Sequence, residues 1–408
     1  MPSKKTMLRP NQHTLIAFVT LRSFPIILDY GKGFLLPVLV FKQSGGSTFA
    51  VGIAFAIEFL PRAILAPLFG SAIDRQSGKT LVIATEIARF AVMLLWLLMS
   101  GHRLAWMASS LVSLLSGLSL VYYEAAASGR LDAQNQQSFH TITQLFEPFA
   151  RLAGPGIVGL LLLFLSPVAV LDCTTAGYGI AALLSLKWKA ITTKEASSDV
   201  EPWSIRVEVH RWAMLGRNLR LLWLTLAAGF LNAFFGIFQA LLIPTMMGRY
   251  RLPDSMAALP NVVGGAVSFL MAVTLLRRAK NQHITRFGFL GASSLAIAGA
   301  LAASDIGILG FSLAFGFLVL GSALYGVYFR NRRIQLIPAH QLAQGIGATL
   351  AVLTLFLPLA GAISAMTSTL SPLMVIGFSG IVSALVLLTE LIVTSKSGRV
   401  NQSFLDIR

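Results

Sequence analysis

The segment GSAIDRQSGK (residues 70–79) lies between two apolar stretches, each about 20 residues long, which is the length that crosses a bilayer. Gly70 permits close helix packing or a sharp exit from the first stretch. Asp74 can cap the N-terminus of the second, and Arg75 and Lys79 can pair with acids or lipid phosphates. The segment therefore predicts a polar turn between two transmembrane helices.

The same apolar pattern continues along the whole chain. Only 12% of the 408 residues are charged and the mean hydropathy is +0.75, whereas soluble proteins carry about 25% charged residues. Twelve stretches have the length and composition of a span: 15–40, 48–70, 80–99, 104–127, 138–165, 167–188, 219–245, 256–276, 284–303, 306–329, 340–366 and 372–394. We expect an all-α integral membrane protein with twelve helices in two six-helix bundles.

One long polar connection divides the chain in the middle. The predicted units are an N-terminal bundle (1–188), a cytoplasmic linker (189–217), a C-terminal bundle (218–394) and a cytoplasmic tail (395–408). The linker sequence fits an amphipathic helix on the inner leaflet, and a plain solvated linker equally well. Residues 152–157 and 359–363 repeat a small-residue pattern about half a chain apart, which favours the division into two halves.

The distribution of basic residues predicts the orientation. The net charge is +16, and most lysines and arginines fall before the first span, in every second loop and in the tail. The other side has only Lys42, Arg103, Arg249 and Arg251. Positive loops mark the cytoplasmic side, so both termini are predicted there, in a multi-pass protein of the bacterial inner membrane. A bilayer explains the basic charge without nucleic acid.

The polar turn resembles the G-x-x-x-D-R-x-G-R-[RK] signature of the major facilitator superfamily. Gly70, Asp74, Arg75 and Lys79 match it, while the second glycine comes one place late, as Gly78, and the following arginine is absent. The resemblance implies that the matching residues latch the cytoplasmic side of the transporter.

The surrounding sequence is similar to the drug and siderophore exporters of that superfamily. Asp29, Val51-Gly52, Leu60-Pro61, the signature and Glu86-Ile87-Ala88-Arg89 follow in the order seen there. Gly154, Pro155 and Gly159 resemble the fifth-span motif of antiporter members and are predicted to act in gating; a packing kink is the alternative. The fourth-span arginine frequent in proton-coupled drug exporters is missing.

Four acid–base pairs lie within the spans of the first half, each three or four residues apart on one helical face: Asp29/Lys32, Glu58/Arg62, Glu86/Arg89 and Glu147/Arg151. Ionisable groups in hydrocarbon are costly and mark functional sites unless they neutralise each other within one helix. We expect Glu86/Arg89 to be mostly architectural. Glu58, Asp29 and then Glu147 are the predicted proton carriers, on the expectation that a substrate displacing the base drives the acid to protonate and so supports antiport.

The predicted substrate site has a charged wall and an aromatic wall. The first comprises Arg22, Lys32, Arg62 and Arg151, and the second comprises Asn232, Phe235, Gln239, Tyr325 and Tyr328. Aromatic stripes also pack against lipid or other helices, so simple packing remains an alternative for the second wall. Such a pair of walls suits a small amphipathic molecule.

These patterns predict a secondary active transporter that exports a siderophore or drug-like metabolite with a proton gradient. Its expected partners are the small-molecule substrate, protons and lipid, and we expect a monomer. An importer of a nutrient or metal chelate is the first alternative, and a membrane sensor or scaffold is a weaker one. The sequence has no catalytic constellation, nucleotide-binding loop or metal-ligand spacing, so no enzyme activity, cofactor or metal site is predicted.

Overall fold

The computed structural model describes residues 12–75, 78–99, 106–119, 146, 149–186, 215–278, 284–337 and 342–405. Within these ranges the secondary structure is helical, without strands, and nine helices are long and apolar enough to cross a membrane. Three shorter apolar helices lie in the remaining predicted spans. Each of the twelve predicted spans therefore contains a helix.

The first half of the chain contributes six helices: α1 (Gln12–Gln43), α2 (Thr48–Arg75), α3 (Gly78–Met99), α4 (Trp106–Ser119), α5 (Phe149–Leu161) and α6 (Pro167–Leu186). The second half contributes another six: α7 (Leu219–Ile243), α8 (Leu259–Arg278), α9 (Ile284–Ala303), α10 (Gly307–Leu336), α11 (Leu342–Met366) and α12 (Pro372–Leu405). A π-helical turn, Pro244–Arg249, prolongs α7, and a 3₁₀ turn, Met256–Ala258, precedes α8.

The predicted turn at 70–79 is shorter in the structure than in the sequence prediction. α2 continues to Arg75 and α3 starts at Gly78, so Gly70, Asp74 and Arg75 lie in the last two turns of α2 and Lys79 lies in the first turn of α3. The prediction placed Asp74 at the start of the next helix, but Asp74 lies within α2. The side chains of this segment lie outside the described part of the structure.

The tightest contact between the two halves is formed by α2 and α11, which run antiparallel. A methyl group added at Gly361 would lie 2.5 Å from the backbone nitrogen of Ala56, and one at Gly52 would lie 2.6 Å from that of Ala365. Such distances leave no room for a side chain, so small residues set the approach of these helices.

Further contacts join the halves at the end of the molecule where the α1–α2 and α5–α6 turns lie. The loop charges predict that this end is extracytoplasmic, and we call it the outer end. Lys42 at the end of α1 donates to Asp254 before α8, with 2.6 Å between Nζ and Oδ2. A methyl group at Gly159 of α5 would lie 2.7 Å from Cβ of Ala258. The outer end of the two bundles is thus held together by packing and by one ion pair.

The described part of the second half has an aromatic core. Phe238 stacks on Phe311 with 4.8 Å between ring centroids and contacts Phe315 and Phe234 as well. This core fixes α7 against α10. The predicted linker helix and the boundary at 188 fall outside the described residues, while Asn218 at the second boundary caps the N-terminus of α7. The division into two bundles and a linker stays a prediction.

Candidate functional site

A buried ion pair joins two helices of the first half. Nζ of Lys32 in α1 lies 2.6 Å from Oε1 of Glu58 in α2, and the same ammonium donates to the hydroxyl of Ser109 in α4 at 2.8 Å. Lys32 is 3% exposed and Glu58 is 5% exposed. Three helices therefore meet at the ammonium group of Lys32.

A second ionic cluster lies one helical turn away on α1. Arg89 of α3 donates to both carboxylate oxygens of Glu86, at 2.9 and 3.1 Å, and to Oδ1 of Asp29. The hydroxyl of Tyr178 in α6 donates to the same Oδ1 at 2.7 Å, and the guanidinium lies over the Tyr178 ring, 5.0 Å from its centroid. α1, α3 and α6 thus meet at a single arginine.

For Asp29/Lys32 and Glu58/Arg62, an ion pair within one helix was the alternative to a functional role. In the structure, Asp29 of α1 bonds to Arg89 of α3, and Glu58 of α2 bonds to Lys32 of α1. Glu86/Arg89 does form within α3, but it also contacts Asp29 and is not isolated from the other charges.

Arg151 connects the two halves through contacts with α1 and α7. Its Nε donates to the hydroxyl of Tyr30 in α1 at 2.9 Å, and its guanidinium lies 4.6 Å from the centroid of the Phe235 ring in α7. Gly154, one turn further along α5, packs so closely on α1 that an added methyl group would lie 2.6 Å from the carbonyl oxygen of Ile27. The close α1–α5 contact positions Arg151 between the bundles.

The amide and aromatic residues of α7 divide into two groups. Asn232, Phe235 and Gln239 recur on one half-buried face, and Asn232 donates to the carbonyl of Leu353 in α11 at 3.1 Å. Phe234 and Phe238 are fully buried in the core of the second half. Among the phenylalanines of α7 named here, Phe235 is the one that contacts Arg151, a residue of the predicted charged wall.

Tyr325 and Tyr328 do not lie beside this group. Their hydroxyls donate to Glu390 of α12, at 3.3 and 3.1 Å, and Thr394 donates to the same carboxylate at 2.9 Å. The ring of Tyr328 packs against Gly288 of α9, and the backbone nitrogen and Cβ of Tyr325 pack against Gly291. The prediction that both tyrosines line the substrate site is therefore not supported by their position: they face α9 and α12, away from the contact between the halves.

The other predicted site residues are placed as follows. Arg22 is buried on α1, two turns from Asp29, and Arg62 is half-buried on α2; both have contacts of their own. Pro155 is buried in α5 and Gly159 lies at the outer end. Glu147 lies outside the described residues, so the pair Glu147/Arg151 stays a prediction.

The sequence prediction missed the neutral partners of these charges. Ser109, Tyr30 and Tyr178 each bond to a charged residue of another helix, between 77 and 149 positions away. Glu390 of α12 was likewise not among the predicted site residues. Hydroxyl residues are common in apolar spans, and no spacing within one helix marks those that meet a charge on another.

A separate polar cluster lies at the outer end, outside the spans. Asp305, in the turn before α10, accepts hydrogen bonds from Arg249 and from the hydroxyl of Tyr250. The bond from Arg249 lowers the pKa of Asp305, and burial together with the Asp305 contact raises the pKa of Tyr250 to about 12. This cluster joins the end of α7 to the α9–α10 turn.

Over the described part of the chain, no group of three or more His, Cys, Asp and Glu side chains converges as metal ligands. The carboxylates described above bond instead to bases and hydroxyls, which suits binding of protons or of a polar organic group.

Comparison with known proteins gives a likeness of fold. No family model matches the sequence, and no curated protein matches it either. A mutant of the nucleoside transporter NupG superposes with a TM-score of 0.72 at 14% identity, over 92% of this chain and 99% of that one. A bacterial homologue of the iron transporter ferroportin, in its inward-facing state, gives 0.67 at 14% identity, over 94% and 100%.

A mutant of the peptide transporter POT in complex with alafosfalin gives a TM-score of 0.71 at 14% identity, over 95% of each chain. These similar structures are transporters rather than enzymes, and they cover the chain nearly end to end. This protein is therefore a multi-pass helical membrane protein with the fold of major facilitator transporters.

Proposed function

We propose that this protein is a secondary active transporter that exports a small amphipathic molecule in exchange for protons. The observation that carries the proposal is the Lys32–Glu58 pair, which is buried at the meeting point of α1, α2 and α4. Packing apolar residues of similar volume would hold these helices as well or better, so a buried ion pair is weak support for stability. Its retention favours a role in binding.

The pair also relates the direction of transport to the charge of the substrate. A cationic substrate that binds Glu58 competes with a proton, so the two exchange across the membrane. An anionic substrate that binds Lys32 removes the base from Glu58, which makes this carboxylate bind a proton more tightly. Because linkage is reciprocal, that second case gives co-transport instead of the antiport expected from the sequence. Proton-driven export through this pair therefore favours a cationic, drug-like substrate.

The proposal is tested in proteoliposomes with an imposed proton gradient. The probes are a lipophilic cationic dye and a carboxylate siderophore, which represent the two substrate classes. We expect dye transport against its gradient when protons flow the opposite way, and loss of the coupling in Glu58→Gln. Asp29→Asn tests the second carrier in the same assay.

Glu390→Gln provides the control. Glu390 is a buried carboxylate of the second half, and the hydroxyls to which it bonds lie in the second half as well. Full proton-driven transport in both Glu58→Gln and Asp29→Asn would remove both residues from the proposed role. If neither probe shows gradient-dependent flux in the wild type, transport of both substrate classes is contradicted.

Co-transport of an anion, and hence import, is the second candidate function. The observation that favours it is Arg151, a cation held between Tyr30 and Phe235 at the contact between the halves. Arginine binds carboxylates in a bidentate manner that lysine does not reproduce. If siderophore moves together with protons and Arg151→Lys raises its KM at unchanged expression, import of an organic anion replaces the export proposal.

A further inference from the structure

We propose that Asp29 and Glu86 together bind one exchangeable proton, because they share a single base. Arg89 donates to both oxygens of Glu86 and to Oδ1 of Asp29. Two ionised carboxylates against one guanidinium leave one negative charge without a counter-charge in the packed interior, which is costly. Uptake of one proton by the pair removes this charge.

The other groups around the pair are neutral donors. Asp29 also accepts a hydrogen bond from the hydroxyl of Tyr178 of α6, and the neutral hydroxyl of Ser119 of α4 lies beside Glu86. A hydroxyl donates a hydrogen bond to a carboxylate without adding charge. The hydrogen bonds that hold the cluster together therefore leave its charge count unchanged.

The elements packed against the pair carry further charged residues. On α1 and α2, Lys32 is bonded to Glu58, while Arg22 and Arg62 have contacts of their own. On α6, Asp172 is exposed and lies nearly two turns from Tyr178. Lys79 of α3 belongs to the stretch whose side chains are not described.

The two carboxylates differ in their access to the surroundings. The side chain of Asp29 is 25% exposed, whereas those of Glu86 and Arg89 are 2% and 1% exposed. A proton therefore reaches the cluster through Asp29 and is shared with Glu86 across Arg89. Since the two acids share one cation, the proposed proton belongs to the pair and not to either residue alone.

The neighbouring Lys32–Glu58 pair provides an internal comparison. It has one acid and one base, so it is balanced with both groups charged. Glu86 and Arg89 match the sequence prediction of an intrahelical pair. Because Asp29 bonds to the same arginine, the cluster has two acids and one base.

The test is infrared difference spectroscopy of the purified full-length protein between acidic and alkaline buffer. We expect a protonated-carboxyl band that titrates in the wild type, is lost in both Glu86→Gln and Asp29→Asn, and persists in Glu58→Gln and Glu390→Gln. A band that persists in both Glu86→Gln and Asp29→Asn, or that is lost only in Glu58→Gln or Glu390→Gln, would overturn the proposal.

Thermal unfolding separates proton binding from a purely structural role. Glu86→Gln leaves one acid on one base, so its melting temperature at neutral pH should stay near the wild-type value. Arg89→Gln leaves two facing acids, so its melting temperature should fall at neutral pH and recover on acidification. No recovery on acidification, together with a large loss in Glu86→Gln, would assign the cluster to structure alone and contradict the proposal.

The proton site is independent of the proposed function; only the statement that its proton is coupled to transport rests on that proposal. If the band behaves as expected but proteoliposomes show no gradient-dependent flux, the proton site stands and the transport proposal fails. If flux is proton-driven while the band is insensitive to Glu86→Gln and Asp29→Asn, the transport proposal stands and this site is wrong.

Discussion

At the scale of single residues, the buried charges of the first half depend on one another. Lys32 and Glu58 are almost inaccessible, and each is the other's only ionic partner in the described structure. Removing one of two buried partners leaves an uncompensated charge, which costs about 3–5 kcal/mol, whereas removing both leaves none.

We therefore expect Lys32→Met to destabilise the protein by about 3–5 kcal/mol, and Lys32→Met combined with Glu58→Leu to cost clearly less. A double-mutant cycle on denaturant unfolding in detergent measures the coupling between the two residues. Additive effects of the two substitutions would show that the ion pair is not formed in the folded protein.

The residue scale is also where sequence prediction was least successful. The spacing of Asp29, Lys32 and Glu58 correctly marked these positions as unusual, but their partners belong to other helices. Which helices are neighbours depends on the arrangement of the whole bundle, and a pattern along one chain segment contains no such information. The same reason explains why Tyr325 and Tyr328 were assigned to the wrong surroundings.

At the scale of helices, the approach of α2 to α11 depends on glycine. Gly361 faces the backbone of α2, and a methyl group there would need the helices to separate. Gly347 lies on the same helix with no atom within 4 Å of an added Cβ, so it provides a matched control.

Gly361→Ala is expected to lower stability by about 1–3 kcal/mol through overpacking, while Gly347→Ala is neutral or slightly stabilising. Thermal unfolding of both variants in the same detergent is the measurement. Equal melting temperatures would mean that α2 and α11 are not in close contact in solution.

The turn between α9 and α10 combines backbone strain with an ion pair. Asp305 has φ of 50°, a left-handed conformation that Asp and Asn tolerate better than other residues with a side chain. Asp305→Asn therefore removes the charge while it keeps this tolerance, and Asp305→Ala loses both.

Because the pKa of Asp305 is lowered in the folded protein, its ionisation stabilises the fold above the unfolded pKa, and this contribution disappears as the pH falls through the folded pKa. We expect Asp305→Asn to melt below the wild type at neutral pH and at the same temperature in strong acid. Melting temperatures recorded across that range check the sign. A difference that grows towards low pH would contradict the assignment.

At the scale of the whole molecule, hydropathy was sufficient to predict the helical architecture, while the orientation inferred from loop charge stays a prediction. All twelve predicted spans contain helix, because burial of apolar residues in lipid requires internally bonded backbone. The contacts between the halves could not be predicted in this way, since small residues at an interface and small residues elsewhere look the same along the sequence.

The outer end offers a prediction at this scale. Lys42 and Asp254 form an exposed ion pair between the halves, so the pair contributes little to folding and acts on their separation. We expect Lys42→Glu to raise the population with a separated outer end, and the combination of Lys42→Glu with Asp254→Lys to restore the closed population.

Distances between spin labels at positions 44 and 255 measure this separation, with the labels attached to cysteines introduced on both sides of the ion pair. Salt should reduce the difference between the variants, because exposed charges are screened. If the reversed pair separates as widely as Lys42→Glu alone, the interaction between these two residues does not control the outer end.

The two ionic clusters share α1, at Asp29 and at Lys32, and this has a consequence for how the sequence can change over evolution. A neutral residue cannot replace Lys32 without leaving Glu58 alone in the interior, so both positions should change together or not at all. In related sequences, an apolar residue at position 32 should accompany an apolar residue at position 58. Position 86 should be freer, because losing its acid leaves Asp29 and Arg89 balanced.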